Sequence, residues 1–385
     1  MKNVCVVTGT RAEYGLLKPI LQKINLDKDL NLQLVVTGMH LCPEFGLTYK
    51  EIEADGFVIE EKIDVVLSSD AQNAMTKSIG LAMVSFADYF ARSKPDLVIV
   101  LGDRYEIFAV ATTVAIAGIP LAHLCGGDTT EGAVDEFFRH SITKMSYLHF
   151  TTTLEYKKRV EQLGEAPDRV FCVGATGVEN ILNVKLMDLE QISKSLKFDL
   201  SKPFSLVTFH PATMENNCVE TQVNQLFQAL DSFSEMNFIF TKANSDANGR
   251  IINELVDKYV EGAKNCVVYT SLGLIRYLSA MKYCTMVIGN SSSGIYEAPS
   301  FKVPTINIGD RQKGRLQAKS VINCEAERDE IVSAIKYAMS TEFLENLTDV
   351  QNPYEGVNPS GDIVRIIKEF LLEDKIDIKK KFYDL

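Results

Sequence analysis

The chain has 385 residues, of which 46% are hydrophobic and 24% are charged. These proportions are typical of a folded globular protein and exclude disordered, collagen-like and coiled-coil chains, while the length predicts two domains at ~100–200 residues each. The net charge is −11, because 51 acidic residues outnumber 40 lysines and arginines. An acidic surface argues against a nucleic-acid partner, which needs a basic stripe.

Short apolar strands alternate with helix-length segments along the whole chain. Strands that are apolar on both faces and separated by helices are typical of parallel sheets. We therefore predict an α/β protein with two Rossmann-like, doubly wound domains: residues 1–175, against which the C-terminal segment 360–385 packs back, and residues 176–359. The predicted strands are 3–8, 32–37, 97–101, 120–124, 148–152 and 170–173, then 204–209, 237–241, 266–269, 285–288 and 303–308; the clearest helices are 15–25, 105–117, 218–234 and 360–372.

The eight cysteines are scattered, without a C-x-x-C pair or a Cys/His cluster at zinc spacing. Several lie in strand-like runs, where we expect small buried side chains. The longest apolar stretch, residues 107–119, is too short to cross a bilayer, and no signal peptide precedes the first strand. We therefore predict a cytoplasmic protein with no membrane partner, no metal and no cofactor.

Charged residues directly follow the predicted strands of the first domain. Ligands of doubly wound sheets bind beyond the carboxyl ends of the strands, so these residues are candidate contacts. Arg11 lies in the Gly-bounded turn 8–15, which opens a helix and suits an anion. His40 follows the second strand, and Asp103 and Arg104 follow the strand 97–101. An acid and a base in such a place are costly to bury unless they are paired or functional.

The segment 123–140 carries the densest group of candidate residues. Asp128, Glu131 and Asp135 precede Arg139 within it. Crowded carboxylates push one another's pKa values apart, which can produce one acid and one base near neutral pH. Asp135 and Arg139 could instead pair with each other, since they are four residues apart on a predicted helix.

In the second domain, the polar residues after the strands suit a nucleotide. His210 follows the first strand of this series, and Ser291 and Ser292 lie in a Ser/Gly turn that opens a helix. Such a turn suits a diphosphate, although the serines could be ordinary helix caps. Glu297 could accept hydrogen bonds from ribose hydroxyls, and Arg311 lies in a basic loop suited to phosphate. The two domains together predict a nucleotide-sugar site in a cleft between them.

At these motifs the chain resembles the hydrolysing UDP-N-acetylglucosamine 2-epimerases. The resemblance covers nearly the whole chain and implies a glycosyltransferase-B-like fold, with two Rossmann-like domains facing across a cleft. It also implies chemistry without a metal, and a homodimer or homotetramer. The matching segments are TGTRAEYG (8–15), GDRYEIF (102–108), the GGD…RHSITK stretch (126–144), GNSSSG (289–294) and TINIGDRQKGR (305–315).

The activity implied by this resemblance converts UDP-N-acetylglucosamine and water into N-acetylmannosamine and UDP, in sialic (nonulosonic) acid biosynthesis. A base removes the C2 proton of the sugar, UDP leaves from C1, and water adds back with inversion at C2. The resemblance implies catalytic roles for Asp103, Asp135 and Arg139. It implies binding of UDP or of the substrate by Arg11, His40, His210, Ser291, Ser292, Glu297 and Arg311.

One position departs from the pattern. The human-type members carry a glutamate directly before the Gly-Gly pair, where this chain has Cys125, so Asp128 or Glu131 could take that role. Similar relatives act on UDP-2,4-diacetamido-2,4,6-trideoxyglucose in legionaminic acid synthesis, which leaves two substrates open. A UDP-sugar-dependent glycosyltransferase of the same fold, or an inactive UDP-sugar sensor, would use the same nucleotide contacts. The crowded acids after Gly126 favour proton chemistry over transfer.

Overall fold

The computed structural model describes residues 1–67, 72–131, 134–211, 219–243, 249–373 and 376–385. The chain divides into two compact units. Unit 1 comprises Met1–Asp128, Asp135–Asn180 and Tyr354–Leu385, and unit 2 comprises Thr129–Val134 and Ile181–Pro353.

Unit 1 is built on a seven-stranded sheet in the order β3-β2-β1-β4-β5-β6-β7, in which every neighbouring pair is parallel. Residues of β4 are buried along its whole length, as expected for a strand covered on both faces. The strands are β1 (Lys2–Thr8), β2 (Leu30–Thr37), β3 (Ile59–Ile63), β4 (Leu97–Leu101), β5 (Leu121–Leu124), β6 (Leu148–Thr151) and β7 (Val170–Cys172).

Helices cover both faces of this sheet. Val4 and Val6 of β1 belong to one buried apolar cluster, whereas Cys5 and Val7 belong to another. Successive side chains of a strand point to opposite faces, so the two clusters lie on opposite sides of the sheet. The helices are α1 (Arg11–Leu26), α2 (Tyr49–Ala54), α3 (Gln72–Ser93), α4 (Tyr105–Ile116), α5 (Asp135–Met145), α6 (Leu154–Gln162) and α7 (Thr176–Asn183).

Unit 2 repeats this plan with a six-stranded parallel sheet in the order β10-β9-β8-β11-β12-β13. Its strands are β8 (Phe204–Thr208), β9 (Asn237–Thr241), β10 (Cys266–Tyr269), β11 (Met286–Gly289), β12 (Thr305–Ile308) and β13 (Val321–Cys324). Its helices are α8 (Leu189–Leu196), α9 (Val219–Leu230), α10 (Gly249–Gly262), α11 (Gly273–Tyr283), α12 (Ser293–Tyr296), α13 (Arg328–Ala338) and α14 (Thr341–Asn346).

The last helix, α15 (Pro359–Leu372), belongs to unit 1 although it follows unit 2 in the chain. Ile363 and Ile367 join the same apolar cluster as Leu17 of α1. Lys368 Nζ lies 2.9 Å from Asp27 Oδ1 and 2.7 Å from Asp29 Oδ2. Apolar packing and this charge pairing attach the helix to the first part of the chain.

The fold class predicted from the sequence is confirmed: the protein is α/β, with two Rossmann-like, doubly wound units of the glycosyltransferase-B-like kind. Edge strands β3 and β13 were not predicted. The sequence of β3 is IEEKI, in which three charged residues stand in a row, and β13 is a short strand of four residues that is only partly buried. Burial of the cysteines holds for Cys5, Cys266 and Cys284, but it is wrong for Cys172, which is exposed. The predicted helix start at residue 218 lies outside the described residues. No helix in the described ranges is long and apolar enough to cross a membrane.

Candidate functional site

The strand order of unit 1 reverses its direction between β1 and β4. Ligands of doubly wound sheets bind beyond the carboxyl ends of the strands at this switch point. The loop after β1 carries Gly9 and leads to Arg11, and the loop after β4 carries Asp103 and Arg104. Three of the residues predicted from the sequence therefore lie where the topology locates a ligand.

Arg139 links the loop after β4 to the start of α5. Its guanidinium is 1% exposed and forms an ion pair with Asp103. The same guanidinium donates to Glu136 Oε2 at 2.6 Å and to the main-chain oxygen of Asp128 at 3.1 Å. Burial alone would lower the pKa of this guanidinium, but Asp103, Asp128 and Glu136 raise it above its ordinary value. Arg139 is therefore a permanent buried cation beside Asp103.

The three crowded acids of the sequence segment 128–135 lie in different surroundings. The Asp128 side chain is buried and accepts a hydrogen bond from Thr152 Oγ1 at 3.3 Å. Asp135 is the first residue of α5, one turn before Arg139. Glu131 is exposed and belongs to unit 2, where its amide donates to the main-chain oxygen of Lys313 at 3.5 Å. Unit 1 thus holds Asp103, Asp128, Asp135 and Arg139, and unit 2 holds Glu131.

His123 supports the Asp103 loop, a role that the sequence did not indicate. The ring Nε2 lies 2.8 Å from the main-chain oxygen of Gly102, and Nδ1 lies 3.1 Å from Thr143 Oγ1. Because a carbonyl can only accept, Nε2 carries the proton and Nδ1 accepts from the hydroxyl. Burial lowers the pKa of His123 to about 3, so the ring is neutral at physiological pH. It fixes the residue directly before Asp103.

Arg11 and His40 differ in how they could meet a ligand. Arg11 Nε lies 3.2 Å from Glu51 Oε2 in a partly exposed ion pair. The ring of His40 is fully buried, 3.1 Å from Thr8 Oγ1 and 2.8 Å from Thr48 Oγ1. Burial lowers the pKa of His40 to about 4, so it is neutral at physiological pH. Its position suits support of the loop after β1.

Two buried glutamates accompany Arg104, and the sequence did not single out either of them. Arg104 Nε donates to Glu106 Oε1 at 2.7 Å and lies 4.0 Å from Glu13 Oε1. Glu106 is 0% exposed and Glu13 is 6% exposed. The sequence signals for these two acids are their motifs: Glu13 lies within the G-x-R-x-x-x-G motif after β1, and Glu106 ends the G-D-R-x-E motif after β4.

The strand order of unit 2 reverses between β8 and β11, and a predicted residue lies on each side. The amide of His210 donates to Asn290 Oδ1 at 2.7 Å, and Asn290 Nδ2 donates back to the main-chain oxygen of His210 at 2.8 Å. The main-chain oxygen of Asn290 accepts from Arg311 at 3.2 Å and from Gln312 Nε2 at 2.8 Å. Asn290, which sequence reasoning missed, therefore joins three loops at one switch point.

The remaining predicted residues of unit 2 lie at the same end of β11. Ser291 Oγ lies 3.1 Å from Ser293 Oγ, and Ser292 is the N-cap of the short helix α12 without a capping side-chain bond. Glu297 follows α12, and its Oε2 is buried without a hydrogen-bond partner in the described part of the chain. Burial raises the pKa of Glu297 to about 8, although Arg315 opposes the shift. Unit 2 thus combines hydroxyls, a guanidinium and a neutral buried acid.

Among the described residues of both units, side chains able to hold a metal ion do not gather. No group of three or more His, Cys, Asp or Glu residues within the described ranges has the arrangement of a metal site.

Residues 22–368 match the family model for UDP-N-acetylglucosamine 2-epimerase. The chain belongs to this family. It is 44% identical to the GDP/UDP-N,N'-diacetylbacillosamine 2-epimerase (hydrolyzing) of Campylobacter jejuni, over 100% of this chain and 99% of that protein. It is 41% identical to the polysialic acid biosynthesis protein P7 of Escherichia coli, over 100% and 98%.

The fold is similar to that of solved family members at much lower sequence identity. The structure of S. aureus MnaA with UDP matches with a TM-score of 0.80 at 16% identity, and the match covers 100% of both chains. At such identity the likeness concerns the fold alone. Membership of the hydrolysing UDP-sugar 2-epimerases rests on the family model and on the more similar relatives.

Proposed function

We propose that this protein hydrolyses a UDP-2-acetamido sugar with inversion at C2 and releases UDP. The observation that carries the proposal is the pair of topological switch points, one lined by carboxylates with a buried arginine and the other by hydroxyls and Arg311. Proton transfer needs carboxylates of tuned pKa, and release of a diphosphate needs positive charge and hydrogen-bond donors. Family membership supports the same reaction.

In this proposal the residues of unit 1 carry the proton transfers. The C2–H bond of the sugar is a weak acid, so its removal needs a desolvated, well-oriented base. Asp103 is held by Arg139 on one side and by the His123–Gly102 hydrogen bond on the other. Asp128 and Asp135 are the further candidates for the acid and the base, while Glu131 is the candidate that unit 2 contributes.

The residues of unit 2 bind the nucleotide in this proposal. His210, Ser291, Ser292 and Arg311 donate to the diphosphate, and Glu297 accepts from the ribose. A departing diphosphate gains negative charge in the transition state, and fixed donors stabilise it without reorganising. Arg11 and Arg104 are proposed as additional contacts to the substrate, and His40 as support for the loop that carries Arg11.

Two sugars fit this chemistry, and both carry the 2-acetamido group. We place UDP-N,N'-diacetylbacillosamine first, because the relative at 44% identity is named for that sugar. UDP-N-acetylglucosamine is the second candidate, because the family model is named for it. The first sugar differs from the second by an acetamido group at C4 and a deoxygenated C6. Both sugars are the same at C2, where the reaction takes place.

The test compares both UDP sugars, and their GDP analogues, without any acceptor. We expect release of UDP together with the free sugar epimerised at C2, and a higher kcat/KM for UDP-N,N'-diacetylbacillosamine. A higher kcat/KM for UDP-N-acetylglucosamine would make that sugar the first candidate substrate instead. Turnover that requires an acceptor and leaves C2 unchanged would contradict the proposal and identify a glycosyltransferase.

A further inference from the structure

Glu13, Arg104 and Glu106 come together from two segments at the switch point of unit 1. Glu13 belongs to α1, Glu106 belongs to α4, and Arg104 precedes α4 directly. Arg104 Nε lies 2.7 Å from Glu106 Oε1 and 4.0 Å from Glu13 Oε1. One guanidinium therefore lies beside two buried carboxyl groups.

The backbone of the loop after β1 closes tightly over these acids. Glu13 Oε2 accepts from the amides of Gly9 at 2.8 Å and Thr10 at 3.3 Å. A β-carbon added at Gly9 would lie 2.7 Å from Glu106 Oε1, and one added at Gly38 would lie 3.0 Å from the same atom. Only glycine allows the chain to approach the carboxylate so closely, so the acids are sealed from solvent by main chain.

With both acids ionised, this cluster would need one more proton to be neutral. Two ionised carboxylates beside one guanidinium would carry a net charge of −1 where water is excluded, which is costly. Glu13 Oε1 and Glu106 Oε2 are both buried without a hydrogen-bond partner in the described ranges, and Glu13 is the acid whose surroundings favour the protonated form. Burial first, and Glu106 next, raise the pKa of Glu13 to about 8, while Arg104 and the amides of Gly9 and Thr10 oppose the shift.

Few other titratable groups face the pair. His40 from the turn after β2 is neutral, because burial lowers its pKa to about 4. The pKa of Cys42 is raised to about 11, mainly by burial and in small part by Glu106. Arg11 at the start of α1 is paired with Glu51, and Asp103 is paired with Arg139. His40 and Cys42 therefore do not change their charge near pH 8, whereas Glu13 does, as does Glu297 in unit 2, whose pKa is also raised to about 8.

We propose that Glu13 keeps a proton beside Glu106, and that the two acids act as positioning residues that hold Arg104, and the loop that carries Arg11, ready for the anionic part of the substrate. This inference rests on the proposed function. With one proton the cluster of two acids and Arg104 is neutral, and it does not repel a diphosphate. Loss of that proton above about pH 8 leaves a buried net charge of −1 beside the substrate, so binding of an anion weakens as pH rises.

The test measures kcat and KM from about pH 6 to about pH 9.5 for the wild type, Glu13→Gln, Glu106→Gln and the control Glu165→Gln. A glutamine has the shape and charge of the protonated acid. Glu165 is another buried glutamate of unit 1, paired with Lys144, Lys380 and His149. In the wild type and the control we expect kcat/KM to fall as pH rises through about 8, chiefly through a rise in KM.

Glu13→Gln should keep kcat/KM near pH 7 within about threefold and should make the fall at higher pH smaller than in the wild type, while the part contributed by Glu297 remains. Glu106→Gln should also reduce the fall, because it removes the negative charge that raises the pKa of Glu13. It should show a higher KM throughout, because Arg104 loses the negative charge of its 2.7 Å partner. An alkaline fall as large in Glu13→Gln as in the wild type would overturn the inference. A uniform loss of kcat in both variants, with the pH profile unchanged, would indicate a structural role only and would overturn it too.

A second readout separates this inference from the proposed function. In the free protein, the infrared band of protonated carboxyl groups should disappear as pH rises through about 8, and Glu13→Gln should lack part of it. Glu297, whose pKa is also raised to about 8, contributes a band that both proteins share. No difference between the two spectra would overturn the proton assigned to Glu13. If no UDP sugar is hydrolysed, the proposed function fails, and the affinity for UDP across the same pH range then decides the role of the pair.

Discussion

Arg139 forms a buried ion pair with Asp103, although the two residues are 36 positions apart in the chain. The guanidinium also binds Glu136 and the main chain of Asp128, so one cation orders the loop after β4 and the start of α5. A carboxylate held in this way keeps a fixed direction, which orients it for proton transfer. This relationship underlies the roles proposed for the acids of unit 1.

Asp103→Asn should lower kcat by about 10²-fold or more and leave the affinity for UDP within about twofold, because acid–base assistance is of that size. The amide can still accept from Arg139, but it cannot take up a proton. Calorimetry with UDP and steady-state kinetics on the same preparation provide the two numbers. Asp88→Asn, at an exposed acid of α3, is the matched control and should leave both unchanged. Lost UDP affinity at unchanged kcat would assign Asp103 to binding instead.

Cys125→Ala should reduce kcat/KM by less than about tenfold, or about 1.4 kcal/mol, because the thiol is not proposed to transfer protons. Cys125 has a positive φ of 64°, a conformation that favours glycine. Cys125→Gly should therefore raise the melting temperature above that of Cys125→Ala.

At least one of Asp128→Asn, Glu131→Gln and Asp135→Asn should lower kcat by about 10²-fold or more. If Cys125→Ala is folded but inactive while all three acid variants are active, the thiol of Cys125 performs the chemistry and this prediction is wrong.

His210→Ala and Arg311→Ala should each weaken UDP binding by about 10- to 100-fold, since a hydrogen bond to a charged group contributes about 1.5–3 kcal/mol. Their effect on kcat at saturating substrate should be smaller than that of Asp103→Asn. Lys313→Ala, in the same loop but exposed, is the control for the loss of a positive charge. Unchanged UDP affinity in both test variants would refute the nucleotide-site assignment for unit 2.

Glu297→Gln should stabilise the protein relative to the wild type at about pH 8.5, but not at about pH 4. Burial raises the pKa of Glu297 in the folded protein to about 8 from an ordinary value of 4.5. Between these values the unfolded chain releases a proton that the folded protein retains, so the contribution of Glu297 to stability falls as pH rises. Thermal melts of both proteins across this range measure the difference. An equal difference in melting temperature between the two proteins at both pH values would show that Glu297 does not titrate as described.

The sequence predicted the interior of both sheets well, because buried parallel strands are continuous apolar runs. Strand 97–101 matches β4 at both ends. The edge strands β3 and β13 lack that signal, because most of their side chains are only partly buried or exposed. Residues at the strand ends were found because the topology of doubly wound sheets places ligands there. Asn290, Glu13 and His123 were missed, because their roles depend on partners that are distant in sequence or on main-chain atoms.

The most direct test of the account is turnover of the UDP sugar in D₂O without an acceptor, with the released sugar analysed by NMR and mass spectrometry. Removal of the C2 proton, loss of UDP and return of a solvent proton to the opposite face predict one deuterium at C2 and inverted configuration there. A released sugar that carries hydrogen at C2 and keeps its original configuration would show that UDP is removed by simple hydrolysis, and would contradict the proton chemistry assigned to unit 1.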